Sequence, residues 1–183
     1  MKGEKMKTTK KVLTGVLMLA VMCVMLFSTS AFAKTTSVKK QKFTTKVSTV
    51  EKKVAKVKKG TVTLKMKGGM GFVKFKAPKT AKYSFTLSNL KAGDYNNGFI
   101  TGYKITSWGS LSTSGVKFST KGGKTDTLWI GTQASWDLRS DKTVNTGSII
   151  PKRTGKIKLN KGETLYMYLY FGGETATVKM AVK

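Results

Sequence analysis

The stretch Leu165-Tyr166-Met167-Tyr168-Leu169-Tyr170-Phe171, closed by Gly172-Gly173, decides the fold. It alternates an aliphatic residue or Phe with a tyrosine from end to end. Successive side chains of an extended chain point to opposite sides, so Leu165, Met167, Leu169 and Phe171 share one face and Tyr166, Tyr168 and Tyr170 the other. The residues beyond the two glycines alternate as well, with Ala176, Val178 and Met180 in phase. A two-glycine turn suits a tight hairpin. In that register Leu169 meets Ala176, Met167 meets Val178 and Leu165 meets Met180, while Tyr170, Tyr168 and Tyr166 lie opposite Thr175, Thr177 and Lys179. The tyrosine row then has two readings. It is either a set of cross-strand stabilisers on a half-wet face, or a platform on which a ligand stacks.

The same pattern recurs earlier. Residues 61–67 and 70–77 flank Gly68-Gly69, and a hairpin there brings Val62 to Phe75, Leu64 to Val73 and Met66 to Gly71. Its opposite face collects Thr63, Lys65, Lys67, Phe72, Lys74 and Lys76, a basic surface. A one-residue slip would destroy the agreement. Further strands are expected near residues 82–88, 99–108, 115–120, 126–132 and 155–159. They are separated by Ala77-Pro78-Lys79, Gly93-Asp94, Asn96-Asn97-Gly98, Gly122-Gly123 and Asn160-Lys161-Gly162. Many short strands with glycine-rich turns and no helical stretch after Gly60 predict an all-β, antiparallel two-sheet sandwich, jelly-roll-like, over residues 60–183. The weakly patterned portion 133–151 carries Trp136, Asp137 and Arg139, candidates for recognition on a loop.

Residues 1–33 read as a secretory signal. Five lysines open the chain, an apolar run covers residues 12–27, and Ala31-Phe32-Ala33 offers the small residues a signal peptidase reads. The run is shorter than the roughly 20 residues of a spanning helix, so cleavage before Lys34 and no remaining transmembrane segment are expected. Cys23, the one cysteine, would leave with the signal. Residues 34–59 differ in composition from residues 60–183 and read as a basic Lys/Thr/Val-rich arm or linker. Within it Phe43, Val47, Val50, Val54 and Val57 recur at helical spacing, which leaves open an amphipathic segment, a solvated linker or a first strand.

The net charge of the chain is +27. Setting aside the five lysines and one glutamate of residues 1–33 takes 35 basic and 8 acidic residues to 30 and 7, a balance of +23. Outside a cell such a chain meets wall polymers bearing phosphate or carboxylate, anionic lipid and acidic polysaccharide. Catalysis has little to work with. There is no histidine, and no cysteine after residue 23, which removes the commonest general base and the thiol nucleophile. The carboxylates after residue 33 are Glu51, Asp94, Asp126, Asp137, Asp141, Glu163 and Glu174, with no evident catalytic pair and too few together for an oxygen-ligand metal site. Ser114-Gly115-Val116-Lys117 matches the S-x-x-K string of serine acyl enzymes, but it lies in a strand region without the partner motifs.

Residues 73–90 (VKFKAPKTAKYSFTLSNL) and 155–182 (GKIKLNKGETLYMYLYFGGETATVKMAV) together resemble the bacterial pre-peptidase C-terminal domain and related sandwich modules. Tyr83 and Phe85 match the Y-x-F strand of those modules. Leu159, Gly162, Glu163, Thr164 and Leu165 match the strand that precedes their final hairpin. The resemblance implies a noncatalytic accessory module of secreted proteins that helps attachment to a substrate or surface. The acidic D-x-D-type strand of many members is missing here, so no calcium site is carried over.

The expected function is therefore a secreted, extracellular and cell-wall-associated binding module, not an enzyme and without a cofactor, that attaches to an anionic wall polymer or glycan. Trp136, Asp137, Arg139, the tyrosines Tyr166, Tyr168 and Tyr170, and the lysines Lys65, Lys67, Lys74 and Lys76 are the candidate contacts. The alternative is a structural or interaction protein of the cell surface with a protein partner. Nucleic acid ranks last, because no recognised nucleic-acid motif is present.

Overall fold

The computed structural model describes residues 34–93, 96–133, 141–145 and 147–183. The segment read as a signal lies outside them, as do Trp136, Asp137 and Arg139. The first elements in chain order are β1 (Lys34–Val38), α1 (Val47–Glu51), β2 (Ala55–Val57), β3 (Gly60–Lys67), β4 (Met70–Lys76) and β5 (Ala81–Ala92). They are followed by β6 (Asn97–Ile105), β7 (Leu111–Ser112), β8 (Phe118–Thr120) and β9 (Gly123–Thr125). The last are β10 (Thr127–Gly131), β11 (Lys152–Leu159), β12 (Thr164–Phe171) and β13 (Thr175–Val182). No described helix is long and apolar enough to cross a membrane.

The strands form a two-sheet sandwich. The first sheet runs β1-β3-β13-β5-β11-β8-β9 and the second β10-β6-β12-β4-β2, with β7 paired to the far end of β6. Neighbours are antiparallel except at one edge of each sheet, where β1 lies parallel to β3 and β2 parallel to β4. Between the sheets the inward residues of each alternating strand make one core, which includes Leu64, Met66, Phe75, Phe85, Ile100, Leu169 and Met180. Each such side chain contributes about 1.5–3 kcal/mol by leaving water. Tyr83 is buried there too and satisfies its hydroxyl by donating to the Lys79 carbonyl at 2.7 Å.

Neither expected glycine hairpin exists. β3 pairs with β13, placing Val62 opposite Met180, Leu64 opposite Val178 and Met66 opposite Ala176. β4 pairs with β12, so that Val73 lies opposite Met167 and Phe75 opposite Leu165. Gly68-Gly69 and Gly172-Gly173 carry the chain from one sheet to the other, as two stacked arches. The inward faces are those expected, but each residue looks across the core at its supposed neighbour. Period-2 alternation is the same whether a strand folds back beside its predecessor or over it, so the pattern that sets the faces cannot set the partner. At Gly69 the backbone has φ +63°, and a Cβ would come within 2.4 Å of the Phe171 carbonyl oxygen. The Phe171 N–H donates to the Gly69 carbonyl at 2.7 Å, which ties the arches together.

Residues 34–59, expected as a basic arm or linker with a first strand left open, supply an edge strand to each sheet. Between those strands the chain lies over the outer side of the second sheet. There Val50 is fully buried, with Val47 and Val54 half-buried beside it, against Phe72, Leu111, Tyr166 and Tyr168. Only residues 47–51 are helical. Val57 belongs instead to β2 and the central core.

Candidate binding site

The outer side of the second sheet is aromatic. The tyrosines of β12 lie between β4 and β6: Tyr168 is opposite Phe72 and Thr101, Tyr166 opposite Lys74 and Tyr103, Tyr170 opposite Met70 and Phe99. Thr175, Thr177 and Lys179, the neighbours expected for them, are in the other sheet. The segment after β1 buries Tyr166 and Tyr168 to 4% and 8% exposure, whereas Tyr170 keeps 44% and stacks on Phe99 with ring centres 5.5 Å apart. The row is thus largely interior. The Tyr166 hydroxyl donates to Glu51 at the end of α1, and the Lys74 ammonium pairs with the same carboxylate. Partial burial acts to raise the Glu51 pKa, but the hydrogen bonds from Lys74 and Tyr166 and the nearby lysine charges outweigh it and hold the carboxyl below its usual range. Tyr166 shifts the other way, raised by burial and by its bond to that carboxylate.

Beyond the covered tyrosines the sheet opens into a groove of about 630 Å³. Phe43, Phe99, Tyr103 and Tyr168 give it aromatic walls. The Phe43 ring, 47% exposed, stands 5.4 Å from both the Tyr103 and the Tyr168 ring centres. Polar groups come from β6, from β10 and from the approach to β10. Thr101 and Thr127 hydroxyls bond to each other at 2.9 Å, and Asp126 accepts from Thr127 at 2.9 Å. Lys117, Lys124 and Lys142, all exposed, form a cationic rim. Burial, with further contributions from the Asp126 and Tyr168 charges, pushes Tyr103 up to about 12 against the bond to Thr101 that lowers it, so it remains a neutral hydroxyl.

The outer side of the first sheet has a different chemistry. Its outward positions carry lysine, threonine and serine, apart from Asn89 at the irregularity of β5 and the apolar Ala181. Lys65 lies opposite Thr177, Lys67 opposite Thr175, and Lys179 between Thr63 and Ser88. On the next strands Lys156 lies between Ser84 and Ser119, Lys152 opposite Ser88, and Lys158 directly opposite Lys82. No carboxylate occupies an outward position of these strands. At the β8–β9 edge Lys82, Lys117, Lys124, Lys156 and Lys158 converge with Ser119 around a hollow of about 490 Å³. Lys117 and Lys124 line both this hollow and the aromatic groove.

The four expected lysines are therefore divided. Lys65 and Lys67 belong to the lysine face of the first sheet, whereas Lys74 and Lys76 are on β4 of the second, Lys74 engaged by Glu51. The remaining carboxylates with described partners serve structure. Glu163 pairs with Lys104 at 2.6 Å. Asp141 is buried, accepts from the Trp129 backbone at 3.0 Å and from Thr143, and meets Arg153 at 3.2 Å. No three histidine, cysteine or acidic residues gather as a metal set among the described residues. Ser114 is exposed between β7 and β8, outside any helix.

Phe43, Phe99, Tyr103, Lys117, Lys124 and Lys142 were not among the contacts expected from sequence. Phe99, Thr101 and Tyr103 do carry a signal, since positions two apart on one strand share a face. Phe43 and Lys142 reach the groove only through tertiary structure.

No protein-family model matches the chain, and no curated protein matches it. Among solved structures, the chain is similar to the pre-peptidase C-terminal domain of a Bacillus anthracis collagenase, with 10% identity, TM-score 0.40, and coverage of 72% of this chain and 95% of that one. It is similar also to CorA of Methylomicrobium album, a surface-associated copper-binding protein, with 8% identity, TM-score 0.41, and coverage of 71% and 98%. A third similarity is to PliG of Aeromonas hydrophila, a periplasmic inhibitor of g-type lysozyme, with 10% identity, TM-score 0.32, and coverage of 82% and 99%.

Proposed function

We propose that the protein is a secreted, noncatalytic binding module that attaches to an anionic polymer of the cell envelope through the lysine face of the first sheet. The observation that carries this reading is the segregation of charge. A sheet face on which Lys158 stands directly opposite Lys82 carries a repulsion that a carboxylate would ordinarily relieve. Here the outward neighbours are hydroxyls, so the compensating anions are left to a partner. Lysines two apart on a strand are about 7 Å from each other, a spacing suited to repeating anions. Secretion rests on residues 1–33, read as a signal removed before Lys34.

Retention on poly(glycerol phosphate), against a neutral dextran, at two salt concentrations tests the reading. Each lysine that neutralises a phosphate releases counterions, so retention on the phosphate polymer falls steeply with salt, and replacement of Lys65, Lys179 and Lys91, which lies opposite Thr177 on β5, by Gln makes that fall shallower. Equal retention on dextran, or a salt dependence untouched by the replacements, overturns it. The intact mass of the exported protein checks the processing, and a mass that includes residues 1–33 or a lipid on Cys23 refutes it.

A second reading, a protein partner, is favoured by one observation. Trp108, at the tip of the turn joining β6 and β7, is 91% exposed, and Ile105 beside it 47%. Exposed tryptophan of this kind is a common anchor of protein interfaces.

A further inference from the structure

The groove and the hollow at the β8–β9 edge share Lys117 and Lys124. One side of these two lysines offers aromatic walls, threonine hydroxyls and Asp126. The other offers Lys82, Lys156, Lys158 and the Ser119 hydroxyl. We infer that this is one site for a sugar phosphate, with the sugar ring in the groove and the phosphate held by Lys117 and Lys124 at its edge. The inference deepens the polyanion reading by naming the repeating unit.

Each half of the site suits one half of such a ligand. A sugar ring presents a C–H face and a hydroxyl edge, which match an apolar aromatic wall beside a few placed polar groups. Phe43 and Phe99 keep ring surface in the groove, whereas Tyr168 contributes an edge and is otherwise interior. Asp126 and the neutral Tyr103 hydroxyl are the kind of acceptor and donor that sugar hydroxyls require. A phosphate needs charged donors and a positive local field, and Lys117 and Lys124 stand at the margin of a hollow lined by three further lysines. A neutral glycan would leave those ammonium groups uncompensated. Bare phosphate would leave the aromatic groove empty. The volume, about 630 Å³ for the groove, lies in the range of small-ligand sites.

Calorimetric titration of the exported protein with glucose 1-phosphate, methyl glucoside and inorganic phosphate tests this. Glucose 1-phosphate is expected to bind saturably and at least about tenfold more tightly than either of the others, the equivalent of one charge-assisted hydrogen bond. Lys117→Ala with Lys124→Ala, both at exposed positions, lowers its affinity by about tenfold or more on the same basis. Phe43→Leu keeps apolar bulk, removes the ring, and weakens both sugar ligands while an unchanged thermal melt excludes misfolding. Inorganic phosphate binding as tightly as the sugar phosphate, or a Lys117/Lys124 variant titrating like the parent, overturns the inference. Saturable sugar-phosphate binding without polymer retention would sustain this site and sink the polymer reading, which separates the two failures.

Discussion

Tyr166 shows how a residue that looks like a surface feature becomes a fastener. Its ring is buried under α1 and its hydroxyl ends on Glu51, which Lys74 also holds. Tyr166→Phe should cost about 1.5 kcal/mol, read from the urea midpoint, because a hydrogen bond to a charged group is lost while the ring stays packed. The pH behaviour has two arms. Glu51 has a lowered folded pKa, so its contribution is present above the unfolded value near 4.5 and disappears as pH falls through the folded one. Tyr166 has a raised folded pKa, so its contribution is complete below 10.0 and is lost as pH climbs through the folded value. Stability against pH for Tyr166→Phe should therefore be flatter at both the acid and the alkaline end than for the parent. The alternation around residue 166 told which side the tyrosines take. It could not tell that a segment more than a hundred residues earlier covers them, since tertiary burial leaves no mark on a strand's own period.

At the scale of elements, the two arches and the α1 cover invite separate tests. Gly69 and Gly162 both have positive φ, but a Cβ at Gly162 meets open space, whereas at Gly69 it strikes the Phe171 carbonyl. Gly162→Ala should cost about 1–2 kcal/mol for conformation alone. Gly69→Ala should cost measurably more, and a denaturant melt of the two variants side by side isolates the close approach. Val50→Ala removes fully buried methyl groups from the α1 contact and should cost about 2 kcal/mol. A loss of only a few tenths would mean the segment is loosely held. Sequence patterning found β5, β6, β10, β11 and both faces of β12, because the side of a strand that meets the facing sheet is apolar whatever covers its other side. It mistook arches for hairpins, since glycine pairs serve both. It also undervalued residues 34–57, whose valines recur at helical spacing although Val57 ends in a strand. Of the groove, β6 supplied a legible row, while Phe43, Lys117, Lys124 and Lys142 come together only when both sheets are in place.

For the whole molecule, the first sheet turns lysine and hydroxyl outward and the second turns aromatic rings outward. The covering segment then hides part of the aromatic side and leaves the groove beside it. Part of the charge that sequence counted as a total thus lies on strands with no outward carboxylate, and composition alone could not show that placement. The arches carry a consequence in time as well as in space. Since β3 finds its antiparallel partner only in β13, and β4 in β12, the centre of each sheet joins chain segments nearly a hundred residues or more apart. A polypeptide emerging from its N-terminus holds β3 and β4 without their antiparallel neighbours until the last strands arrive. High contact order of this kind slows folding to the millisecond-to-second range. Refolding followed by stopped-flow fluorescence should fall in that range, and removal of residues 175–183 should leave a chain that does not fold at all. Late commitment of this sort keeps a polypeptide unfolded until β13 has been delivered, the condition in which a chain can be threaded through a narrow translocation channel.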